Sequence, residues 1–156
     1  MESVSGRYRL LAEELVKHLL KFFGDRLVSV VLYGSVGRGE ASEESDIDLL
    51  IVAEGLPKGR FERQGIFSTI ERELGEDAAR FSPILKTPEE ASRITPLYLD
   101  LVEDSIILYD RDDFMRRVLD RLRRLRELGA RRVWEGKSWY WILKPDLRFG
   151  EVFEIE

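Results

Sequence analysis

The strongest constraint on the fold is a pair of apolar runs that flank a polar, glycine-rich segment. Residues 27–33 read LVSVVLY and residues 47–52 read IDLLIV. Apolar runs of this length, rich in Val, Ile and Leu, are typical of buried strands. Between them lies GSVGRG, residues 34–39, and Asp46 directly precedes the second run. The sequence therefore predicts two buried strands joined by a segment that needs backbone freedom and carries charge.

The glycine spacing of residues 34–39 is similar to that of a phosphate loop, but the motif is not a P-loop. A P-loop continues with Lys and then Ser or Thr, whereas Glu40 and Ala41 follow here, and G-x-G-x-x-G is not matched either. A glycine at a strand end still lets a ligand approach the backbone closely. Ser35 adds a hydroxyl and Arg38 a fixed positive charge. The segment predicts either a phosphate-binding turn or a plain strand-to-helix turn shaped by glycine.

Two aspartates, Asp46 and Asp48, stand at the start of the second run. Residues two apart in a strand point to the same face, so both carboxylates are expected to project together while Ile47 faces the core. Neighbouring carboxylates repel unless a cation lies between them, and oxygen ligands of this kind suit Mg²⁺ or Mn²⁺. A capping Asp with a salt bridge is the alternative. The turn and the pair together favour a clamp for a nucleoside triphosphate and its metal at one end of the sheet.

The same residues carry a resemblance to a known family. The positions Gly34-Ser35, Arg38-Gly39 and Ser45-Asp46-Ile47-Asp48 resemble the G-S-x-x-R-G-x(n)-S-D-x-D signature of the nucleotidyltransferase superfamily that includes DNA polymerase beta. The similarity is greatest to its minimal nucleotidyltransferase and kanamycin nucleotidyltransferase-like branch, in a longer archaeal form. It covers residues 27–52, and the fold that it implies extends to residue 110.

The resemblance implies a reaction and a set of roles. An acceptor hydroxyl would attack the α-phosphorus of a nucleoside triphosphate, moving AMP from ATP and displacing pyrophosphate. Small members of this branch serve as antitoxins of a helical HEPN-type RNase, so the resemblance also implies a toxin–antitoxin module and a protein acceptor. The implied catalytic and Mg²⁺ ligands are Asp46 and Asp48, and the implied nucleotide- and phosphate-binding residues are Gly34, Ser35, Arg38, Gly39 and Ser45.

The chain departs from the family at the usual third carboxylate. The next core strand reads RFSPILK, and the aligned position carries Ser82. A second function therefore remains open, a noncatalytic nucleotide-binding, antitoxin-like module that acts by contact with a partner. The acids that could approach the site from elsewhere are Glu76, Asp77, Asp100 and Glu103.

Composition excludes several other kinds of site. The chain has 156 residues, a net charge of −5, no Cys and one His, His18, so disulfides, thiolate metal sites and histidine metal clusters are not expected. The charge also argues against nonspecific nucleic-acid binding. Without a long apolar run or a leader-like start, we expect a cytoplasmic protein with no membrane span. The lack of Asn, with Gln64 as the only Gln, suggests a thermophilic source. A homo-oligomer remains open.

Hydrophobic periodicity predicts an α/β (α+β) fold with one mixed β-sheet flanked by helices. We expect a nucleotidyltransferase core over residues 1–110 and a C-terminal helix plus β-hairpin extension over residues 111–156, packed on that core. The predicted helices cover 7–23, 60–74, 87–91, the first part of 96–110 and 112–128. The apolar stripe of the first contains Leu11, Leu15, Leu19 and Phe22, and the apolar side of the second contains Phe61, Ile66, Phe67, Ile70 and Leu74. The predicted strands cover 27–33, 47–52, 79–86, 105–109, a hairpin over 131–144 that turns at 135–137, and an extended segment around Val152 and Phe153.

The C-terminal part contains two surfaces with more than one interpretation. The predicted helix 112–128 has an arginine-rich polar side, which favours a solvated, salt-bridged face over a surface for RNA or an acidic partner. In the hairpin, Trp139 and Trp141 are expected on one face and Tyr140 on the other. Packing against the helix is favoured over a stacking platform. A structural or RNA-associated domain is accordingly a third function to consider.

Overall fold

The centre of the molecule is a four-stranded sheet flanked by helices, seen in a computed structural model that describes residues 3–75, 80–94, 96–127, 131–135, 138–142 and 153–154. The helices are α1 (Val4–Phe23), α2 (Gly34–Gly37), α3 (Arg60–Glu71), α4 (Pro88–Ala91), α5 (Pro96–Asp104) and α6 (Phe114–Glu127). The strands are β1 (Leu27–Tyr33), β2 (Ile47–Ala53), β3 (Phe81–Lys86), β4 (Arg93–Ile94), β5 (Ile106–Asp110), β6 (Arg131–Glu135), β7 (Ser138–Ile142) and β8 (Phe153–Glu154).

The central sheet has the strand order β3-β2-β1-β5. Strand β1 runs antiparallel to both β2 and β5, and β2 runs parallel to β3. The predicted mixed sheet is thus confirmed. Strand β3 lies at the edge of this sheet, where Pro83, which has no N–H to give to a further strand, is tolerated.

Both faces of the sheet are covered, which explains why β1 and β2 are apolar without interruption. On one face, Val30, Leu32 and Ile51 pack against the buried stripe of α1 and against Phe67 of α3. The opposite face packs against α5 and α6. The buried residues on this second face are Val28, Val31, Leu50, Val52, Ala91, Tyr98, Leu101, Val102, Met115, Val118, Leu119 and Leu122.

Helix α1 begins three residues earlier than the periodicity predicted. The Ser3 hydroxyl accepts a hydrogen bond from the Gly6 amide at 2.9 Å and caps the first turn, and Gly24 stops the helix at φ +57°. Leu15 and Leu19 are fully buried, as predicted. The assignment of Phe22 to the same buried stripe was wrong, because its side chain is 43% exposed at the rim between α1 and α3.

Helix α3 also departs from the predicted apolar side. It ends at Glu71, continues as a 3₁₀ turn over residues 72–74, and stops at Gly75 with φ +83°. Phe67 and Ile70 are buried, but Phe61 is 92% exposed. The nine residues from Phe61 to Ile70 correspond to about two and a half helical turns, so these two side chains point in opposite directions. The inclusion of Phe61 in the buried side was therefore wrong.

The C-terminal elements contact the central part through α6, through β7 and through the pairing of β8 with β4. Residues of α6 are buried against the second face of the sheet. The hairpin of β6 and β7 forms in the register Trp134↔Trp139, and β7 lies against α5. The packing of the hairpin aromatics on α6 stays a prediction, because these side chains lie outside the described part. Strand β8 pairs with β4, one residue later than the predicted extended segment.

The domain boundary at residue 110 remains a prediction. None of the helices in the described part of the chain combines the length and the apolar character that a membrane span requires.

Candidate nucleotide site

The glycine turn after β1 lies against Asp48. Gly34 follows the last residue of β1, Tyr33, which pairs with Asp48 in the β1–β2 ladder. Its backbone has φ +70°, in the left-handed region that favours glycine. A Cβ at this position would overlap the Asp48 Oδ2 atom. The turn therefore needs glycine for two independent reasons, its backbone conformation and its close approach to a carboxylate.

Backbone hydrogen bonds close the turn over residues 34–40. The amide of Arg38 donates to the Gly34 carbonyl at 3.0 Å, and the amide of Glu40 donates to the Ser35 carbonyl at 2.8 Å. Gly39 has φ +76° and ends the turn. Within the described residues, the Ser35 hydroxyl makes no hydrogen bond, so it is available to a ligand. The Arg38 guanidinium, by contrast, forms an ion pair with Glu40 at 3.2 Å.

Asp46 and Asp48 lie close enough to interact electrostatically. Asp46 is exposed and directly precedes β2, while Asp48 is partly buried within the strand. Burial raises the pKa of Asp48, the negative charge of Asp46 raises it further, and the positive charge of Arg38 partly lowers it. Neither carboxylate forms an ion pair within the described residues. The predicted pair thus stands side by side without a direct cationic partner.

The loop that precedes Asp46 is hydrogen-bonded to α1 and to Arg80, the residue before β3. The Ala41 amide donates to the Ser5 hydroxyl at 2.9 Å, and the Tyr8 hydroxyl donates to the Glu43 carbonyl at 3.1 Å. The Arg80 guanidinium donates to the same carbonyl. Sequence reasoning missed all of these anchors, because side chains that act on a distant backbone leave no local pattern.

Ser45 acts within this loop. Its hydroxyl accepts a hydrogen bond from the Ser42 amide at 2.9 Å, and its own amide donates to the Ser42 carbonyl at 3.0 Å. These two bonds close a tight turn just before Asp46. In this structure Ser45 therefore shapes the approach to the aspartates, and the nucleotide-binding role that the resemblance implies for it stays a prediction.

The end of α5 supports the other side of the turn. A Cβ at Gly37 would lie 2.6 Å from the Asp104 carbonyl oxygen and 3.1 Å from that of Leu32. Real Cβ atoms do not approach a carbonyl so closely, so the second glycine of the turn lets α5 pack onto it. This contact brings the C-terminal end of α5, with its acidic residues Glu103 and Asp104, to the glycine turn.

Ser82, which the resemblance aligns with the usual third carboxylate, lies beside Asp48. Ser82 of β3 pairs directly with Asp48 in the parallel ladder, so the two side chains share a face of the sheet. Among the described residues, no cluster of three or more acidic or histidine side chains is arranged to hold a metal. Of the other acids considered, Glu76 and Asp77 and the side chain of Asp100 lie outside the described part.

The arginine-rich side of α6 is partly paired. Arg116 lies 3.8 Å from Asp113, and Arg123 lies 2.9 Å from Asp120. These are exposed pairs one helical turn apart, worth a few tenths of a kcal/mol (about 0.2–0.5) each. They agree with the interpretation of this side as a solvated, salt-bridged face.

Comparison with known proteins gives a family match over most of the chain. Residues 12–125 match the family model described as "Nucleotidyltransferase domain". A Methanocaldococcus jannaschii protein with the name "Putative protein adenylyltransferase MJ1305" is 37% identical over 116 residues, which cover 72% of this chain and 79% of the relative. The matched range contains the glycine turn, both aspartates and the sheet.

Two solved structures are similar in fold. One is described as a "putative nucleotidyltransferase" from Sulfolobus solfataricus, with a TM-score of 0.51, 24% identity, and coverage of 72% of this chain and 92% of that chain. The other is described as a toxin–antitoxin with AMP-PNP, with a TM-score of 0.51, 16% identity, and coverage of 74% and 87%. Both likenesses concern the fold.

Proposed function

Because the chain belongs to the nucleotidyltransferase domain family, we propose that it transfers AMP from ATP to a hydroxyl group of a protein acceptor, with Mg²⁺ bound at Asp46 and Asp48. One observation carries the proposal. Two interacting carboxylates without an ion-pair partner lie beside a glycine whose missing side chain leaves room at the Asp48 carboxylate.

The donor set fits a hard divalent cation. Both ligands are carboxylates, the described part offers no His or Cys beside them, and Asp48 carries a raised pKa because burial and Asp46 oppose its charge. A cation between the two carboxylates would relieve both effects, and oxygen ligands suit Mg²⁺ or Mn²⁺. Substrate phosphate oxygens and water would supply the remaining oxygen ligands.

The residues of the chain have distinct roles in the proposed reaction. The acceptor oxygen forms a bond to the α-phosphorus, the bond from that phosphorus to the bridging oxygen breaks, pyrophosphate leaves, and the hydroxyl proton passes to water. The free Ser35 hydroxyl donates to a phosphate oxygen, and Gly34 leaves the space that the Asp48 carboxylate occupies. Arg38 counters negative charge beside the carboxylates. The metal supplies Lewis-acid stabilisation of the attacking and leaving oxygens.

The names of two similar proteins support a protein acceptor. The Methanocaldococcus jannaschii relative carries the name of a protein adenylyltransferase, and one structural neighbour is a toxin–antitoxin with an ATP analogue. We therefore propose an acceptor hydroxyl, such as a tyrosine, on a helical HEPN-type partner. The use of ATP goes with a cytoplasmic location.

The first test is calorimetric titration of ATP with and without Mg²⁺. Wild type is expected to bind ATP only with Mg²⁺, and the double variant Asp46→Asn/Asp48→Asn is expected to lose that binding. The exposed loop carboxylate Glu44 supplies the control variant, Glu44→Gln, which should bind as wild type does. If wild type binds no nucleoside triphosphate with Mg²⁺, the proposed site is wrong.

A second candidate function rests on Ser82. With a hydroxyl beside Asp48 where a carboxylate is usual, the chain would bind a nucleotide and act by contact with its partner. Pyrophosphate release measured with the partner protein distinguishes the two functions. Transfer by wild type supports the enzyme. Nucleotide binding without release, together with release by Ser82→Asp and none by Ser82→Asn, supports the contact module.

A further inference from the structure

A groove of about 370 Å³ runs along the open edge of the sheet, between α3 and β3. Lys58, Arg60, Arg63 and Gln64 line one side, and residues 83–86 line the other. We call it the edge groove. It combines cationic side chains with an apolar floor of Pro83, Ile84 and Leu85.

The cations of the edge groove differ in whether they form ion pairs with acidic residues of the described part. Arg63 is only 13% exposed and forms an ion pair with Glu90 at 2.7 Å. Lys58 and Arg60 are exposed and have no ion-pair partner within the described residues. Burial lowers the pKa of Lys86, and the charge of Glu90 partly opposes that shift. Four cations and one acid, Glu90, line the edge groove, so it is positively charged on a chain whose net charge is −5.

The outer edge of β3 is blocked against the addition of another strand. The Leu85 carbonyl points outward, where it accepts a hydrogen bond from Arg63 at 3.0 Å. Pro83, two residues earlier and therefore facing the same way, has no N–H to offer. An occupant of the edge groove must consequently be held by side-chain contacts and charge, and it cannot extend the sheet.

An exposed aromatic residue stands next to these cations. Phe61, adjacent to Arg60, is 92% exposed. One turn later, Gly65 leaves open space where a side chain would stand, which gives the Phe61 ring an accessible flank. An aromatic ring beside an arginine is the combination enriched where proteins bind other proteins.

The edge groove begins next to the candidate nucleotide site. Ser82 pairs with Asp48, and Pro83 at the start of the groove is the next residue of β3. Ile84 and Lys86 share the face of Ser82 and Asp48 because strand residues two apart point the same way. A chain segment bound in the groove would hold its neighbouring residues close to Asp48.

We propose that the edge groove is the docking site for an acidic segment of the protein acceptor, with an apolar residue of that segment on Phe61. Docking as part of catalysis rests on the proposed function, whereas binding itself needs no nucleotide. Charge complementarity favours an acidic chain. The exposed acids Glu62 and Glu89, which directly precede the groove residues Arg63 and Glu90 in the sequence, disfavour a continuous phosphate backbone, so a peptide is favoured over a nucleic acid.

The test is a selection from a phage-displayed library of random dodecapeptides on the full chain without nucleotide. We expect selected peptides rich in Asp, Glu and apolar residues, with affinities that fall about tenfold or more in Lys58→Glu/Arg60→Glu. Phe61→Ser should weaken binding without a change of charge. The matched control, Arg117→Glu/Arg124→Glu, makes the same charge change on an exposed face of α6 and should bind as wild type does.

Four results would overturn the docking proposal. The first is a set of selected peptides without acidic enrichment, and the second is equal peptide binding by wild type and Lys58→Glu/Arg60→Glu. The third is salt-sensitive binding of labelled oligouridylate that Lys58→Glu/Arg60→Glu loses. The fourth is tighter peptide binding when residues 151–156 carry Gln in place of Glu. The third would make the groove a nucleic-acid surface, and the fourth would make the chain's own end the occupant. Calorimetry of Mg²⁺–ATP on the same variants reports separately on the proposed function.

Discussion

At the scale of single residues, the contact between Gly34 and Asp48 links the conformation of the turn to the chemistry of the site. Gly34 supplies a left-handed backbone at the end of β1, and the space that it leaves is filled by the Asp48 carboxylate. The neighbouring Gly39 also has a left-handed backbone but faces open space. A substitution at Gly34 is therefore expected to cost stability both through its backbone conformation and through overlap with the Asp48 carboxylate. A substitution at a glycine in open space carries only the first cost.

Replacing Gly34 by Ala should damage both stability and ligand binding. We expect a loss of about 1–2 kcal/mol from the left-handed backbone alone, plus displacement of the Asp48 carboxylate and loss of Mg²⁺-dependent ATP binding. Gly24→Ala, at a positive-φ glycine that precedes β1 and faces open space, carries a similar backbone cost without the collision and should retain ATP binding. Urea denaturation and calorimetry measure the two effects. Equal ATP affinity in the two variants would contradict the role of the close contact.

The ionised Asp48 side chain should lower the free energy of unfolding of the metal-free protein at neutral pH. Its pKa is raised above the ordinary value of 3.8 because burial and Asp46 oppose ionisation. A carboxyl with a raised pKa favours the folded state below the unfolded pKa and loses that contribution as the pH rises through the folded pKa. Asp48→Asn in EDTA should therefore melt at a higher temperature than wild type at about pH 7, with the difference vanishing below about pH 4.

The control for this measurement is Glu44→Gln, which removes an exposed carboxylate from the same loop and should change stability by less than about 0.5 kcal/mol at either pH. A lower melting temperature for Asp48→Asn at neutral pH would mean that the ionised carboxylate has a stabilising partner. That result would remove the argument for a cation site at the aspartate pair.

The sequence predicted the residues of the candidate site, but it did not predict the hydrogen bonds that hold the loop before Asp46 in place. Gly34, Ser35 and the two aspartates could be recognised because each follows or opens a buried apolar run, and such runs are readable locally. The anchors Tyr8 and Arg80 could not, because each acts on the backbone of a loop more than thirty residues away. Contacts of that kind depend on the folded arrangement and leave no periodic signal in the chain.

At the scale of elements, the open edge of the sheet is protected by one side chain of α3. The Arg63 guanidinium donates to the carbonyls of Pro57 at 2.6 Å and Leu85 at 3.0 Å, and to Glu90 at 2.7 Å. It thereby ties the loop before α3, the edge strand β3 and the capped first turn of α4 together. Edge strands with free backbone groups invite pairing with other chains, and Arg63 occupies one of these groups.

Arg63→Ala should destabilise the protein by about 1–3 kcal/mol, because it leaves the buried Leu85 carbonyl without its hydrogen-bond donor and the partly exposed Glu90 without its ion-pair partner. Arg60→Ala, a change of the same type at an exposed position one turn earlier, should cost less than about 0.5 kcal/mol. Chemical denaturation measures both. Similar values for the two variants would show that the Arg63 hydrogen bonds contribute little to holding the edge together.

The helices were predicted from periodicity more reliably than the direction of every apolar side chain. Helices α1, α3 and α6 lie within the predicted ranges or extend them by one turn. Phe22 and Phe61 were assigned to buried sides, but one lies at a rim and the other in solvent. A helical pattern fixes the angle between residues, whereas the extent of the opposing surface decides which positions are covered.

At the scale of the whole molecule, the two faces of one sheet divide the chain into two layers. Helices α1 and α3 cover one face, and α5 and α6 cover the other. The glycine turn, which contains α2, lies against α5 and the sheet, so the candidate site is built from contacts to both the sheet and the second layer. Helix α6 follows residue 110, yet its apolar stripe belongs to the same buried cluster as residues of α5, β1 and β2.

Unfolding should therefore be a single transition that includes the C-terminal hairpin. The three Trp residues of the chain, Trp134, Trp139 and Trp141, all lie in the hairpin, so Trp fluorescence reports on that part alone, while far-UV circular dichroism reports mainly on the helices. We expect the two denaturation curves to coincide. Leu119→Ala, at a buried position of α6, should shift both curves together and cost about 2–5 kcal/mol.

Leu10→Ala is the control, since Leu10 is 51% exposed on α1 and its truncation leaves no cavity. A fluorescence transition that precedes the dichroism transition, and that Leu119→Ala does not move, would assign residues 111–156 to a separate unit attached at residue 110. Coincident curves that move together would instead mean that α6 and the hairpin belong to the same cooperative core as the sheet. In that case the nucleotide site and the C-terminal elements would lose their structure together, because the turn at Gly34 depends on the layer that α6 completes.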